Sequence, residues 1–404
     1  MVYHCAIIGG GAAGLAAAAF LGREAARQGR SVRLVLCEKA PRVGKKLLAT
    51  GNGTCNLTNR QADPSHYHGG VNFTAPALAA FPPQACLDFF ASLGVVCAPR
   101  EEGREYPLCQ QAAAVLDCLR LELSRLGVTV RTECEVTALQ PSRHGLVVQT
   151  TADAVVADTV ILATGGAAAP SLGGSVGGYA LATALGHRKT PLFPSIVQVK
   201  TDVAYIKAMK GLRTDATVTF CLDGKPLCAR TDELLFTEYG VSGPAVMHIS
   251  RAVGDWERQK RGTMTAQIDL LPAMSEEQLR AHLSTRPART AEDFLTGLLH
   301  KRIGQTVCRA AGLSLSDTVT DTAALARAIK QFTVTVYGTQ GFGGAQVTAG
   351  GIDTRDVDPV TMASRLVKGL YLVGEVLDVD GDCGGYNLQW AWASAYAAAQ
   401  AMSV

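Results

Sequence analysis

A glycine-rich turn near the start of the chain constrains the fold more than any other feature. Gly9, Gly11 and Gly14 have the spacing G-x-G-x-x-G. The turn follows an apolar run at Tyr3–Ile8 that predicts a strand, and it precedes Ala12–Gln28, which predicts a helix. In this setting the first glycine allows a tight turn, the second lets the backbone approach a pyrophosphate, and the third lets helix and strand pack closely. The segment therefore predicts the first βαβ unit of a doubly wound α/β domain that binds a dinucleotide.

An acidic residue stands where such a domain binds a ribose. Glu38 follows the next predicted strand, Val32–Cys37. A carboxylate at this position accepts hydrogen bonds from ribose hydroxyl groups and repels a 2′-phosphate, which favours FAD or NAD. A glycine-rich turn that served packing alone would leave Glu38 unexplained.

The far end of the sequence has a second layout of this kind. A short apolar run is followed by Gly374 and Glu375, by an acidic Gly-rich turn, and by a helix rich in Ala, Trp and Leu that begins near Gly385. The unpaired N–H groups and the dipole of a helix N-terminus favour electron-rich or anionic groups. Two such sites, one near each end of the sequence, predict one long dinucleotide held across the fold.

The choice between the two dinucleotides rests on a motif that does not recur. The only other glycine cluster that comes close, Gly173–Gly178, lacks the G-x-G-x-x-G spacing. An enzyme with two dinucleotide domains would carry two fingerprints, and an NAD enzyme would not need the C-terminal layout, so the single fingerprint predicts FAD. The residues after Cys55 hold no second cysteine for a C-x-x-x-x-C dithiol, which excludes the disulfide reductases.

Composition predicts a globular enzyme, with 48% hydrophobic and 18% charged residues. A net charge of +3 and an aromatic content of 6% predict a small-molecule substrate and no nucleic-acid or membrane partner; the oligomeric state stays open. The twelve cysteines lack C-x-x-C spacing, which predicts free thiols in a reducing cytoplasm and no metal site. The apolar run Ala6–Leu21 is too short and too rich in glycine to span a membrane.

Changes in pattern along the chain predict three domains. Strands and helices alternate over 1–190 and return over 346–404, which predicts a split FAD-binding α/β domain. Segments 191–272 and 332–345 read as antiparallel strands and predict a β-rich domain. Residues 273–331 have Leu and Ile at helical spacing and predict a small helical domain.

A second long signature, Gly44-Lys-Lys-Leu-Leu-Ala-Thr-Gly-Asn-Gly-Thr-Cys-Asn-Leu-Thr-Asn59, identifies a family. Together with Val347–Gly351, Asp358–Met362, Leu235–Pro244 and the C-terminal layout, it resembles the BaiN-like group of bacterial FAD-dependent flavoproteins, also catalogued as aminoacetone-oxidase-like NAD(P)/FAD-dependent oxidoreductases. The resemblance covers nearly the whole chain.

The resemblance implies a glutathione-reductase-like FAD domain, a β-rich second domain and a helical third domain. Reduction of steroid-type enones is assigned to bile-acid-metabolising members, and the chemistry differs across the group. Many members have a histidine where this chain has Glu238, so a proton-transfer role at this position does not carry over.

The predicted cofactor residues follow the length of FAD. The first turn and Glu38 would hold the adenosine and phosphates, and Val136 would offer its backbone to the adenine edge. Lys45 or Lys46 would offset phosphate charge, Glu375 would bind the ribityl chain, and the last helix would point N–H groups at flavin N1 and O2. A solvated loop, core packing and a helix cap are the respective alternatives for the lysines, Val136 and Glu375. The full set is Gly9, Gly11, Ala12, Ala13, Gly14, Glu38, Lys39, Lys45, Lys46, Thr50, Gly51, Asn52, Val136, Ala163, Thr164, Gly165, Gly374, Glu375, Gly385, Tyr386, Asn387 and Leu388.

These features predict an FAD-dependent oxidoreductase that transfers hydride between flavin N5 and a small, largely apolar substrate lodged between the flavin and the inserted segment. NAD(P)H-driven reduction of a C=C bond is one form of this chemistry, with NAD(P)H as a transient donor. A flavin amine oxidase that uses O₂ is the first alternative, and a flavin-binding regulatory or RNA-associated protein is the second. Tyr386, Cys55 and Tyr106 are candidate proton-transfer residues, although a structural role is favoured for each.

Overall fold

The computed structural model describes residues 2–70 and 72–402, which divide into two compact units. Unit 1 holds the residues up to Leu192 and those from Val347 onward, and unit 2 is Phe193–Gln346. Each unit has its own hydrophobic core. The chain therefore leaves unit 1, builds unit 2, and returns to complete unit 1.

The helices are α1 (Ala12–Arg27), α2 (Ala75–Ala80), α3 (Pro83–Ser92), α4 (Ala112–Arg125), α5 (Gly177–Ala184), α6 (Pro244–Met247), α7 (Ser250–Gln259), α8 (Glu276–Ser284), α9 (Lys301–Ala310), α10 (Thr322–Lys330), α11 (Gly341–Gly344) and α12 (Tyr386–Ala401). The strands are β1 (Val2–Ile8), β2 (Leu34–Cys37), β3 (Thr58–Asn59), β4 (Tyr67–Gly69), β5 (Cys97–Pro99), β6 (Arg104–Pro107), β7 (Thr129–Arg131), β8 (Val136–Ser142), β9 (Gly145–Thr150), β10 (Ala154–Leu162), β11 (Phe193–Ser195), β12 (Val199–Thr201), β13 (Arg213–Leu222), β14 (Lys225–Phe236), β15 (Gly240–Ser242), β16 (Met264–Asp269), β17 (Phe332–Thr339), β18 (Val347–Ala349), β19 (Leu370–Leu372) and β20 (Val379–Gly381).

The main sheet of unit 1 confirms the predicted α/β fold. Strands β7, β2, β1 and β10 are parallel neighbours, β19 pairs in parallel with β10, and β9 and β8 continue the sheet antiparallel. Ile8 pairs with both Cys37 and Leu162, so β1, β2 and β10 end at the same level. Their carboxyl ends therefore bring the segments that begin at Gly9, Glu38 and Ala163 to one edge, where open α/β sheets bind ligands.

Helix α12 packs against α1 and fills the core of unit 1 with two tryptophans. The indole N–H of Trp390 donates to the Gly374 carbonyl oxygen at 3.1 Å, and that of Trp392 donates to the Leu57 carbonyl oxygen at 3.0 Å. A buried indole N–H without an acceptor would be costly, so these bonds fix the helix in both depth and rotation. The start of α12 is thereby held at a defined place.

Unit 2 is built on six antiparallel strands that close on themselves in the order β12, β15, β14, β13, β16 and β17. Helices α8, α9 and α10 pack into the same core as these strands through Leu279, Ile303 and Ile329, which are all buried. The structure thus joins the predicted β-rich and helical segments in one compact unit. A separate helical domain stays a prediction.

Two predicted strands are shorter or interrupted for a backbone reason. The apolar runs 195–200 and 128–134 each predict one strand, but the first is broken at Ile196, whose φ is +50°, and the second ends early, before Glu133, whose φ is +51°. A non-glycine residue in this left-handed region cannot continue a strand. The apolar run Ala6–Leu21 forms the end of β1, the glycine turn and part of α1. No helix in the described part of the chain has the length and apolar character needed to cross a bilayer.

A buried carboxylate in unit 1 makes stability depend on pH. Asp356 is buried, and it accepts hydrogen bonds from the backbone N–H of Arg188 at 2.9 Å and from the guanidinium Nη2 at 2.5 Å. The bonds from Arg188 hold the pKa of the Asp356 carboxyl below its usual range. A lowered native-state pKa stabilises the fold above the ordinary pKa of the group, and this contribution is lost as the pH falls.

We expect Asp356→Asn to lower the free energy of unfolding by about 1–3 kcal/mol at neutral pH, because the amide loses the charge-assisted bonds from Arg188. The difference from wild type should shrink as the pH falls below about 4, where the wild-type carboxylate becomes protonated. Urea unfolding over this pH range measures both effects. Asp88→Asn, at an exposed position on α3, is the control. A deficit that stayed constant with pH would contradict the linkage.

Candidate active site

The glycine turn separates two packing positions from one open position. A Cβ added at Gly9, whose φ is +106°, would lie 2.5 Å from the Ala163 carbonyl oxygen. A Cβ added at Gly14 would lie 1.9 Å from the Gly9 carbonyl oxygen. At Gly11 an added Cβ would meet nothing within 4 Å, so there is space directly at the N-terminus of α1. A phosphate suits this space because the N–H groups of Ala12 and Ala13 have no intrahelical acceptor.

Glu38 is held in place by backbone groups on both sides. Its Oε2 accepts a hydrogen bond from the Gly10 N–H at 2.7 Å, and its Oε1 accepts one from the Ala40 N–H at 2.8 Å. Each carboxylate oxygen can accept a further bond, so the group remains able to bind ribose hydroxyls. Lys39 next to it is exposed. Val136, half-buried, begins β8 and pairs with Thr150.

The structure distinguishes the two neighbouring lysines. Lys46 Nζ lies 2.8 Å from Glu375 Oε2, whereas Lys45 is exposed. Glu375 Oε1 also accepts the Thr348 N–H at 2.8 Å, so this carboxylate is tied on both oxygens. Gly374 lies beside the start of α1, since a Cβ added there would be 3.0 Å from Ala13 Cβ. Residues far apart in sequence thus form one charged group next to the open space at α1.

The loop after Lys46 has an unusual backbone. Gly51, Asn52 and Cys55 all have left-handed φ values of 54–61°. Two hydrogen bonds inside the loop stabilise this path. The Cys55 N–H donates to the Thr50 carbonyl oxygen at 2.9 Å, and the Thr54 hydroxyl donates to the Gly51 carbonyl oxygen at 2.5 Å. The loop therefore presents a defined turn that leads into β3.

The N-terminus of α12 is fixed by contacts to two other segments. Gly385, with φ of +102°, packs so closely on β3 that an added Cβ would be 2.6 Å from the Thr58 carbonyl oxygen. The Asn387 side chain accepts the Gly381 N–H at 2.9 Å and donates to the Gly381 and Asp382 carbonyl oxygens at 2.8 and 3.2 Å. Since the amides of Tyr386, Asn387 and Leu388 lie in the first turn, they have no intrahelical acceptors. They can donate to an electron-rich group.

Orphaned oxygens lie along the same edge. Among the described residues, Asn56 Oδ1 and Thr164 Oγ1 are buried without a hydrogen-bond partner. A Cβ added at Gly385 would lie 2.9 Å from Asn56 Oδ1, which places that acceptor beside the start of α12. Thr164 follows the buried Ala163 and precedes Gly165 in the turn after β10. Buried polar atoms without partners are uncommon and mark places where a ligand can supply the missing bond.

The candidate proton-transfer residues are packed rather than free. Cys55 is buried, and burial raises the pKa of its thiol to about 11. Burial likewise raises the pKa of Tyr386 to about 12, so both groups are protonated at neutral pH. The Tyr106 ring lies 4.4 Å from the Arg100 guanidinium carbon. These environments supply the structural explanation for each residue, and a catalytic role stays a prediction.

A cluster that sequence reasoning missed lies beside α12. His66 Nδ1 is 3.0 Å from Asp382 Oδ2, and His68 Nε2 is 2.9 Å from Asp382 Oδ1. The signal in the sequence was the pair of histidines two residues apart, of which His66 ends a short turn and His68 lies in β4. By contrast, His187 is buried with bonds to Ser364 Oγ and a backbone carbonyl. Within the described ranges no group of three or more His, Cys, Asp or Glu side chains is arranged to hold a metal ion.

The fold and the site together define a flavoprotein-type oxidoreductase with a Rossmann-type α/β domain, and comparison with known proteins agrees. Residues 3–401 match the family described as HI0933-like protein Rossmann domain, so the chain belongs to this family. This confirms the resemblance to the BaiN-like group that the motifs indicated.

Three relatives are similar to the chain in sequence, and one solved structure is similar to it in fold. A 3-dehydro-bile acid delta(4,6)-reductase of Clostridium scindens is 42% identical over 98% of each chain. Ribosomal RNA dihydrouridine synthases of Haemophilus influenzae and Escherichia coli are 33% and 32% identical over 98% of this chain and 98% and 97% of theirs. A 3-ketosteroid delta1-dehydrogenase from Sterolibacterium denitrificans, solved with 1,4-androstadiene-3,17-dione, covers 99% of both chains at a TM-score of 0.51. Its identity of 12% makes this a likeness of fold alone. Because two relatives are named for ribosomal RNA, net charge does not exclude a nucleic-acid partner in this family.

Proposed function

We propose that the chain binds FAD in unit 1 and reduces a C=C bond conjugated to a carbonyl group in a small, largely apolar substrate, with NAD(P)H as the transient electron donor. The observation that supports this above others is the 42% identity, over nearly the full length, to an enzyme named as a reductase of delta(4,6) double bonds. NAD(P)H is expected to bind only transiently, since the sequence has one dinucleotide fingerprint.

The residues of unit 1 fit FAD along its length. The open space at Gly11 and the amides of α1 suit the pyrophosphate, and the oriented Glu38 carboxylate suits the adenosine ribose. Lys46 and Glu375 suit the phosphate and ribityl region, and the first turn of α12 suits the pyrimidine edge of the flavin. When bound, FAD supplies two-electron transfer at flavin N5.

The protein itself contributes electrostatics and positioning. The α12 amides, held by Gly385 and Asn387, favour negative charge at N1 and O2 and so raise the reduction potential. Lys46 offsets phosphate charge, while its pairing with Glu375 fixes where that positive charge lies. These groups are set before the ligand binds, so little reorganisation is needed during reaction.

The names of the relatives share one chemistry. A 3-dehydro-bile acid with delta(4,6) double bonds and a uridine both carry a C=C bond conjugated to a carbonyl. Reduction of such a bond adds hydride to the carbon distant from the carbonyl and a proton to the carbon beside it. Hydride delivery depends mainly on positioning, and the second step needs a proton donor. The proposal therefore rests on the type of bond that both relatives are named for, a C=C bond conjugated to a carbonyl group, and does not depend on which of the two substrates this chain uses.

Anaerobic mixing with NADH or NADPH tests the reductase. We expect loss of the visible absorbance of the bound flavin with at least one of the two, followed by its return when a 3-oxo-4,6-diene steroid is added. The steroid product should gain the mass of two hydrogen atoms per turnover. The flavin released by denaturation should elute as FAD in chromatography. If neither nicotinamide bleaches the flavin while an amine does so and O₂ is consumed, the amine-oxidase alternative replaces the proposal.

A second substrate, uridine in RNA, is favoured by one observation: two relatives over 30% identical are named ribosomal RNA dihydrouridine synthases. The same reduced protein can be divided between a dienone steroid and a uridine-containing ribosomal RNA fragment. We expect the steroid to reoxidise the flavin faster, in line with the higher identity to the bile-acid enzyme. Faster reoxidation by the RNA, with dihydrouridine found after digestion, would reverse the assignment.

A further inference from the structure

The two histidines that share Asp382 form a compact cluster with one carboxylate between them. Asp382 accepts from His66 Nδ1 on one oxygen and from His68 Nε2 on the other, at 3.0 and 2.9 Å. The three side chains are 30–37% exposed, so solvent protons can reach them. Neither the family resemblance nor the proposed cofactor contacts account for this arrangement.

Backbone pairing builds the cluster. Strand β4 runs antiparallel to β20 with His68 opposite Asp380, and the Asp382 N–H donates to the His66 carbonyl oxygen at 3.0 Å. His68 lies in β4, whereas His66 ends the short turn Pro64–His66 that precedes this strand, and both imidazoles reach the residue that follows β20. The strand pairing at His68 and the backbone hydrogen bond at His66 together hold the cluster.

The cluster touches the first turn of α12. The His66 ring stacks on the ring of Tyr386, the first residue of the helix, with centroids 4.3 Å apart and planes inclined by 21°. The Asn387 side chain donates to the Asp382 carbonyl oxygen at 3.2 Å. Charge on the cluster therefore changes the electrostatic potential at the start of α12, which we assign to the pyrimidine edge of the flavin.

Asp382 places a negative charge between the two imidazoles. Burial opposes ionisation of Asp382, but hydrogen bonds from His68 and His66 outweigh it, so the pKa of this carboxyl is lowered and the group is anionic at neutral pH. An imidazole ring can hold a proton on one nitrogen or on both. The titratable and charged groups near the cluster or near its stacked neighbour Tyr386 are Asp63, Tyr67, Glu102, Arg104 and Asp380. They include three acidic side chains and one arginine.

We propose that His66 and His68, held by Asp382, take up one proton from solvent when the flavin bound at α12 gains an electron pair. The inference rests on the proposed function for the presence of the flavin. The donor loses the electron pair with one hydrogen nucleus as hydride, and the cluster gains one H⁺ on an imidazole nitrogen. The hydride goes to the flavin, so the donor is oxidised and the flavin is reduced, and no other group changes oxidation state. The imidazolium then balances the negative charge that the reduced flavin carries at N1.

The midpoint potential of the flavin, measured on the full-length holoprotein against reference dyes from about pH 5.5 to pH 8.5, tests this coupling around the ordinary titration range of imidazole. We expect the wild-type potential to fall more steeply with pH than that of His66→Gln/His68→Gln, by up to a tenfold change in equilibrium constant per pH unit, or about 30 mV for two electrons. The wild-type potential should be the higher one at acidic pH, where the imidazolium is present, and the two curves should meet at alkaline pH. His144→Gln, an exposed histidine in the turn between β8 and β9, is the matched control and should follow wild type.

A second variant protects the test against a folding defect. Asp382→Asn keeps an acceptor for the histidines but removes the negative charge, so the steep part of the potential curve should move to lower pH. If wild type, His66→Gln/His68→Gln and Asp382→Asn gave superimposable curves of potential against pH, the proposed proton uptake by the cluster would be wrong, even if the protein still reduced its substrate. Failure of the purified protein to retain any flavin would instead overturn the proposed function, and this inference with it.

Discussion

Gly11→Ala should weaken FAD binding by at least about tenfold, or 1.4 kcal/mol, while the apoprotein keeps its fold. An added Cβ at this position meets no protein atom within 4 Å, and the backbone φ of −80° suits any residue. The methyl group would therefore occupy only the space that we assign to the pyrophosphate. Loss of a glycine at the N-cap costs no more than about 1 kcal/mol of stability. Quenching of flavin fluorescence during titration of the apoprotein measures the affinity.

Gly14→Ala is the matched comparison, because it adds the same methyl group three residues along. There the Cβ would lie 1.9 Å from the Gly9 carbonyl oxygen, so the backbone must shift. We expect the free energy of unfolding of the apoprotein to fall by about 1–3 kcal/mol, as it does when an extra methyl group is forced into a packed site. Equal FAD affinity for wild type and Gly11→Ala would show that the phosphate does not approach this turn.

Lys46→Met should lower FAD affinity by about tenfold to a hundredfold, which corresponds to about 1.4–2.7 kcal/mol. The change removes the positive charge 2.8 Å from Glu375 and leaves that carboxylate, still bonded to the Thr348 N–H, as an uncompensated negative charge close to the start of α1. The carboxylate would then repel the diphosphate. Isothermal titration of the apoprotein with FAD at moderate and high salt measures the loss and how far screening reduces it.

Lys45→Met provides a control with the same chemical change one residue away. Lys45 is exposed, so its replacement should change FAD affinity by less than about twofold. The double variant Lys46→Met/Glu375→Gln should recover part of the lost affinity, since it removes both charges. If Lys45→Met weakened binding as much as Lys46→Met did, the assignment of the phosphate charge to the Lys46–Glu375 pair would be wrong.

Motifs that act within a few residues could be predicted from the sequence. The glycine turn, the strand before it and the helix after it are local, and so is the position of Glu38 at the end of the next strand. These elements follow from backbone conformation and apolar periodicity, which one sequence contains. They were sufficient for the α/β fold, whereas the family and the class of enzyme followed from longer signatures such as Gly44–Asn59.

Features made by distant segments could not be predicted. The sequence offered Lys45 and Lys46 as equal candidates, and only the fold brings Lys46 to Glu375, 329 positions away. His66, His68 and Asp382 were overlooked for the same reason, because their contact depends on the pairing of β4 with β20. The left-handed backbone at Ile196 and Glu133 could not be predicted from the sequence either, since neither residue type favours this conformation.

The return of the chain to unit 1 sets an order for assembly. Helix α1 packs on α12, and β10 pairs with β19 through Val160 and Leu370, so these contacts close a loop that includes all of unit 2. Contacts between residues so far apart in sequence form late, because the entropy of loop closure must be overcome first. Unit 2, with a core of its own, can collapse while unit 1 still lacks its last strands and helix. If α12 binds the flavin as proposed, capture of the cofactor is tied to the last stage of folding, and a ribosome-bound chain that has not yet exposed α12 lacks that half of the proposed site.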